Sequence, residues 1–169
     1  SGFHPAIVDK QSGQLTHNDL TISLSDEKAL TMEQGLADTL DSSSAVHSWG
    51  AFYTKSTTLY NEEGGSADVS IVGAEDDARM TEYFTFRTRV GHDPIPFEED
   101  SVILTEKTAL NLELSVGDTF YVEAADGSRV QLTLTGITEN YMFTRLYLSN
   151  AQLESLPGRN AGVEHRLRP

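Results

Sequence analysis

The sequence of 169 residues contains no cysteine. That absence excludes a disulfide framework, a thiolate metal site and a thiol nucleophile together. It also lacks any run approaching the ~20 apolar residues that a membrane-crossing helix requires. The opening Ser1-Gly2-Phe3-His4-Pro5 has no signal-peptide core. A piece lying between membrane segments of a parent protein would read the same way. Basic side chains are scarce, 12 lysines and arginines against 26 acids, giving a formal net charge of -14. Coulomb repulsion therefore disfavours nucleic-acid backbones and anionic lipid surfaces, although an acidic surface can also serve solubility alone.

Local signatures of catalysis are absent too. There is no Gly-x-Ser-x-Gly elbow to expose a serine nucleophile and no Walker-type glycine loop to cradle phosphate. The five histidines, His4, His17, His47, His92 and His165, are scattered, with no pair spaced to aim both rings at one metal. Acids cluster at Glu62-Glu63, Glu75-Asp76-Asp77 and Glu98-Glu99-Asp100. Two such clusters could form a general acid/base pair if folding brought them close, but each sits in a predicted turn or helix start, where solvated carboxylates are routine. None has the ligand spacing of an EF-hand loop. No catalytic, cofactor-binding or metal-binding residue is assigned, and no cofactor is expected.

What is present is an alternating pattern. Hydrophobic residues, 38% of the chain, arrive in short bursts separated by polar turns, which predicts a folded α+β domain. Residues 1–18 show no sustained period and read as a stalk or lead-in. Leu20, Ile22 and Leu24 alternate as a strand. Thr31 and Gln34 fit a capping box ahead of Met32, Leu36 and Leu40, a helix with one apolar stripe. A strand over Ala45 to Lys55, holding Val46, Trp49, Phe52 and Tyr53, completes a βαβ unit. Trp49 and Tyr53 suit core or interface packing.

The hairpin signal follows. Thr57 to Tyr60 and Ser66 to Val72 flank Asn61-Glu62-Glu63-Gly64-Gly65, with Ala67, Val69 and Ile71 on one face. A short helix is predicted within Glu75 to Tyr83. Val102-Ile103-Leu104 is an apolar run, Thr105 is placed to cap a helix, and Ala109, Leu110 and Leu112 supply its buried face before Val116-Gly117-Asp118 turns the chain. Phe120, Val122 and Ala124, then Asp126-Gly127, then Val130, Leu132 and Leu134 make a second hairpin. A strand is predicted over Tyr141 to Leu148. Ser149 and Gln152 repeat the capping-box pattern at a short helix carrying Leu153 and Leu156. Residues 157–169 read as a linker.

Certain phrases in this second half carry a resemblance. They are Val102-Ile103-Leu104-Thr105-Glu106-Lys107, Ala109-Leu110, Leu114-Ser115-Val116-Gly117-Asp118-Thr119, Thr135-Gly136-Ile137-Thr138-Glu139-Asn140-Tyr141 and Leu146-Tyr147-Leu148-Ser149. In order and spacing, Val102 to Ser149 resembles the extracytoplasmic domain of FtsX-like and MacB-like ABC transporter permeases. Asp19 to Leu24 is similar to the first strand of such domains.

The resemblance implies a porter-like βαβ lobe with a smaller β-rich lobe, barrel-like or sandwich-like. Residues 19–83 would form the first and residues 84–156 the second. It further implies a non-catalytic domain on the extracytoplasmic face of the bacterial plasma membrane. Its partners would be the membrane helices of its own permease and a separate cytoplasmic ABC ATPase, with a peptide, lipid or lipoprotein as substrate and no nucleic acid. The chain departs from the family where such domains usually continue through another βαβ unit. The alternatives are a stand-alone extracellular binding or adhesion module, and a hydrolase with paired carboxylates.

Overall fold

The computed structural model describes residues 4–9, 15–16 and 49–157. The predicted strand at Asp19 to Leu24, the helix around Met32 to Leu40 and residues 158–169 lie outside them, as does the start of the strand predicted from Ala45. The elements, in chain order, are β1 (His4–Asp9), β2 (Leu15–Thr16), β3 (Trp49–Tyr60), β4 (Ser66–Gly73), α1 (Ala78–Tyr83), β5 (Val102–Thr105), α2 (Glu106–Asn111), β6 (Thr119–Glu123), β7 (Arg129–Thr133), β8 (Gly136–Thr138), β9 (Arg145–Leu148) and α3 (Asn150–Glu154). The fold is α+β, as the sequence predicts: one mixed sheet with short helices packed on it.

The main path of the sheet runs β2-β1-β3-β4-β9-β5-β8, and the β6–β7 hairpin attaches through β3. β3 is long because it holds three neighbours. β4 pairs along residues 53–60, while β1 and then β6 share the opposite edge, at residues 49–54 and 59–60. β4 and β9 run parallel, with Ile71 opposite Leu146, so strands from both halves of the chain are joined in one sheet. β5 is central, parallel to β8 and antiparallel to β9.

The central strands are covered on both faces. Tyr53, Ile71, Leu104 and Leu146 point into one core with Phe120, Leu132 and Leu153. Their sequence neighbours Phe52, Val72, Ile103 and Tyr147 point into a second, with Met80, Phe84 and Phe86. A strand's side chains alternate between faces, so two cores make β5 and β9 continuous apolar runs and not alternating ones. The second core is aromatic, Phe52 meeting Tyr83 and Phe84 edge-on and Phe86 meeting Tyr147 at 5.0 Å between centroids. Such pairs add about 0.5–1.5 kcal/mol beyond the area they bury.

Both predicted hairpins form. Tyr60 faces Ser66 across the first, and Phe120 and Val122 face Leu132 and Val130 across the second. Gly127 stands at φ 86 in its turn and Gly117 at φ 98 after Val116, conformations a Cβ disfavours.

Several expectations are corrected. Regular structure precedes Asp19, because His4–Asp9 is a strand held by backbone pairing to β3; its consecutive Ala6-Ile7-Val8 gave no alternating signal. The strand predicted over Tyr141 to Leu148 is confined to Arg145–Leu148. The helix within Glu75 to Tyr83 is confined to Ala78–Tyr83. Thr105 occupies the N-cap position of α2 but its hydroxyl makes no cap bond; it binds the backbone of Arg145 instead. Ala109 and Leu112 are buried as expected, whereas Leu110 is 68% exposed. At 3.6 residues per turn the face holding Thr108, Ala109 and Leu112 excludes position 110.

Ser149 makes half of its capping box, accepting the N–H of Gln152 at 3.2 Å. The Gln152 amide reaches the Asp100 carbonyl instead of returning.

Candidate interaction site

The site forms where α2, the segment 139–144 and the turn after Phe86 meet. Segment 139–144 is shaped by Asn140, whose Oδ1 accepts the backbone N–H groups of Met142 at 2.9 Å and Phe143 at 3.0 Å. This side-chain turn replaces a backbone turn and delays to Arg145 the strand that apolarity alone predicted from Tyr141. Its consequence is outward display: Tyr141 is 77% exposed and Met142 72%.

Glu139 ties the base of that segment to its neighbour. Its N–H donates to the Arg87 carbonyl at 2.8 Å, and its Oε2 accepts from Arg87 Nε at 2.8 Å. His92 Nε2 lies 3.9 Å from Oε1 of the same carboxylate, and the Tyr141 hydroxyl donates to Oε1 at 3.4 Å. The Arg87 hydrogen bond, reinforced by the charges of Arg87 and His92, holds the Glu139 carboxyl below the usual glutamate range against some desolvation.

Beneath the segment lies Arg145, 4% exposed. Its guanidinium sits 3.7 Å over the Phe143 ring and 5.7 Å from that of Phe84, and Nη1 donates to the Tyr147 hydroxyl at 3.3 Å. A buried cation on aromatic faces is held by their quadrupoles. Burial pushes the Tyr147 hydroxyl up from its ordinary value, and the Arg145 charge opposes the shift.

Between these pieces runs a groove of about 430 Å³, lined by Leu110, Lys107, Arg89, Tyr141, Met142 and Phe143 among others. Arg89 Nε is paired with Glu106 at 3.0 Å across it. Among the described residues Lys107, also exposed, has no such partner. A second cleft, about 690 Å³ and more polar, follows β3 at Lys55 to Thr58 and meets Glu123 to Ala125. It lies where β3's outer edge passes between β1 and β6, and Thr57 Oγ1 there donates to the Glu123 carbonyl at 2.6 Å.

The acidic clusters are placed as follows. Glu62 accepts from Thr119 Oγ1 at 2.8 Å in the first hairpin turn. The other two clusters are brought near each other: Asp77 feels the charges of Asp76 and Glu99. Its Oδ1 accepts the Asn150 N–H at 2.8 Å, and the Glu99 carbonyl accepts the Ser149 hydroxyl, so both fasten the start of α3. Burial, first, raises the Asp77 carboxyl from its ordinary value. Among the described residues no group of three His, Asp or Glu is placed to hold a metal ion, and none of the helices is long and apolar enough to cross a membrane.

Sequence reasoning did not find Asn140, Arg145 or the display of Leu110, Tyr141 and Met142. Asn140, ahead of Tyr141, Met142 and Phe143, was the available signal for a side-chain turn.

No protein-family model matches the chain. No curated protein matches it either. Among solved structures it is similar to a crystal structure described as a domain of a provisionally assigned permease protein from Porphyromonas gingivalis. The identity is 12%, the match covers 96% of this chain and 70% of that one, and the TM-score is 0.42. A likeness of that degree carries no argument, and the functional reading rests on the residues.

Proposed function

We propose that the chain is a non-catalytic extracytoplasmic domain of a transporter permease of the FtsX-like and MacB-like group, lying on the outer face of the bacterial plasma membrane. One observation carries the reading. The phrases that bear the family resemblance, dispersed from Val102 to Ser149, converge on a single structural unit. Val102–Thr105 pairs with Gly136–Thr138 on one side and Arg145–Leu148 on the other. Thr135 N–H donates to the Val102 carbonyl, Ser149 N–H to that of Ser101, and Gly117 N–H to that of Leu134.

The domain works as a relay. β1 is fastened to β3, and α3 lies against β4 so closely that a Cβ on Gly73 would meet Leu153 Cδ2 at 3.0 Å. Displacement applied at either element passes into the same sheet, whose two packed cores resist deformation. Membrane helices of the permease would supply the displacement, a separate cytoplasmic ABC ATPase the energy, and a peptide, lipid or lipoprotein would be the substrate. No bond-making or bond-breaking step is part of this reading.

The test uses the absence of cysteine from these 169 residues, with any cysteine elsewhere in the parent replaced by serine. In the full-length parent, Glu63→Cys on the exposed first hairpin turn should be labelled in intact cells by a membrane-impermeant maleimide, and the parent should show membrane spans flanking the domain. Protection of Glu63→Cys until lysis, or a parent without spans, overturns the proposal; the latter leaves the stand-alone binding module.

A further inference from the structure

The groove beside α2 differs in charge from the molecule that carries it. Two of the described cations, Arg89 and Lys107, line it, with Glu106 the one carboxylate among them; Arg87 is paired with Glu139 at the base of the neighbouring segment. The carboxylates of Glu139 and Glu106 are already engaged by Arg87 and Arg89. Lys107 is left as an exposed cation on a chain whose formal net charge is -14. Next to it stand Leu110 and Met142, two large apolar side chains exposed at 68% and 72%.

We propose that this groove docks a segment of a partner protein in which apolar side chains alternate with or flank carboxylates. The lining combines Tyr, Met, Phe and Arg, residue types enriched at interfaces, with Leu110 as further apolar surface, and Met adapts its shape to what it meets. A carboxylate of the segment pairs with Lys107 while its apolar side chains cover Leu110, Met142 and the Tyr141 ring. The apolar contacts supply affinity and the charge selects the partner: elsewhere the acidic surface repels the same segment, so the local cations set where it lands. The groove is open, with its apolar residues standing on the rim, which suits side chains of a peptide and not an acyl chain needing enclosure. Asn140 shapes the rim, because its two backbone bonds turn Tyr141 and Met142 outward in the free chain. The inference does not depend on a membrane setting.

The full chain is titrated with fluorescently labelled peptides of mixed leucine, phenylalanine and glutamate, and with matched peptides carrying lysine or glutamine in place of glutamate. The acidic peptides should bind, the lysine set should not, and the glutamine set should bind about tenfold more weakly. Lys107→Glu and, separately, Leu110→Ser with Met142→Ser should each weaken the acidic set by about tenfold or more while leaving the circular dichroism and thermal unfolding unchanged. Absence of binding by the acidic set, equal binding by the lysine set, or retention of affinity in either variant overturns the proposal. Binding of phosphatidylglycerol or oleate vesicles that the same substitutions abolish, without peptide binding, assigns the groove to lipid and overturns it as well.

Discussion

Thr105 and Arg145 exchange two hydrogen bonds: the Arg145 N–H donates to Thr105 Oγ1 at 3.0 Å, and the same hydroxyl donates to the Arg145 carbonyl at 3.3 Å. The β5–β9 ladder pairs Leu104 with Leu146, so the hydroxyl continues it one position further, where the backbones have begun to part. The side chain that could have capped α2 closes the sheet instead. Thr105→Val keeps the shape but leaves two buried backbone groups unpaired. It should lower stability by about 2–6 kcal/mol in urea unfolding, at the ~1–3 kcal/mol expected for each orphaned group, whereas Thr105→Ser should keep most of it. Equal stability of the valine and serine variants would show that the bonds are not needed.

Asp77 should make the domain more stable as pH falls. Its carboxyl titrates above the ordinary 3.8 because it is buried near Asp76 and Glu99. A raised folded-state pKa means that the native chain binds the proton first. Stability therefore drops as pH rises through the interval between the ordinary and raised values, and stays lower above it. Asp77→Asn, which can still accept the Asn150 N–H, should remove this component and be no less stable at pH 7. A clear loss at pH 7 would mean that the charge-assisted bond to α3 outweighs the burial penalty.

Glu139 has the opposite sign. Its pKa is depressed below 4.5, chiefly by the Arg87 hydrogen bond. The stabilisation it provides is complete above that ordinary value and is lost as pH falls through the depressed one. Glu139→Gln should abolish this acid-side component and speed amide exchange of Met142 and Phe143. Unchanged exchange would show that Asn140 holds the segment alone.

Gly136→Ala should be destabilising for a reason of space and not of conformation. A Cβ there would lie 2.8 Å from Ile95 Cγ2 and 3.4 Å from Ile103 Cγ1. Forcing that contact should cost about 1–3 kcal/mol by chemical denaturation. Adding Ile95→Ala should recover part of the loss, and no recovery would place the strain elsewhere.

The hairpins were legible because each combined a two-residue period with a glycine turn, both local features. The Ser149 cap and the burial of Leu153 and Leu156 were legible for the same reason. Ala109 and Leu112 were placed correctly, but Leu110 was drawn into their face by its apolarity, since a six-residue helix offers too few turns for periodicity to decide. β1 was hidden because its stability comes from pairing with β3, far along the chain. The groove was hidden more deeply: it depends on Asn140 bending the backbone and on Arg145 filling the space below, neither of which leaves a hydropathy signal.

The parallel pairing of β4 with β9 has a kinetic consequence. Ser70, Ile71 and Val72 are paired to β3 on one edge through the local hairpin, but on the other edge their neighbours are Arg145, Leu146 and Tyr147, so the middle of the sheet waits for distant chain to arrive. Loop closure precedes the reward, which makes such folds slow. During synthesis β4 therefore presents a bare hydrogen-bonding edge of valine and isoleucine, and expression yield should depend on what shields that edge before translation reaches β9.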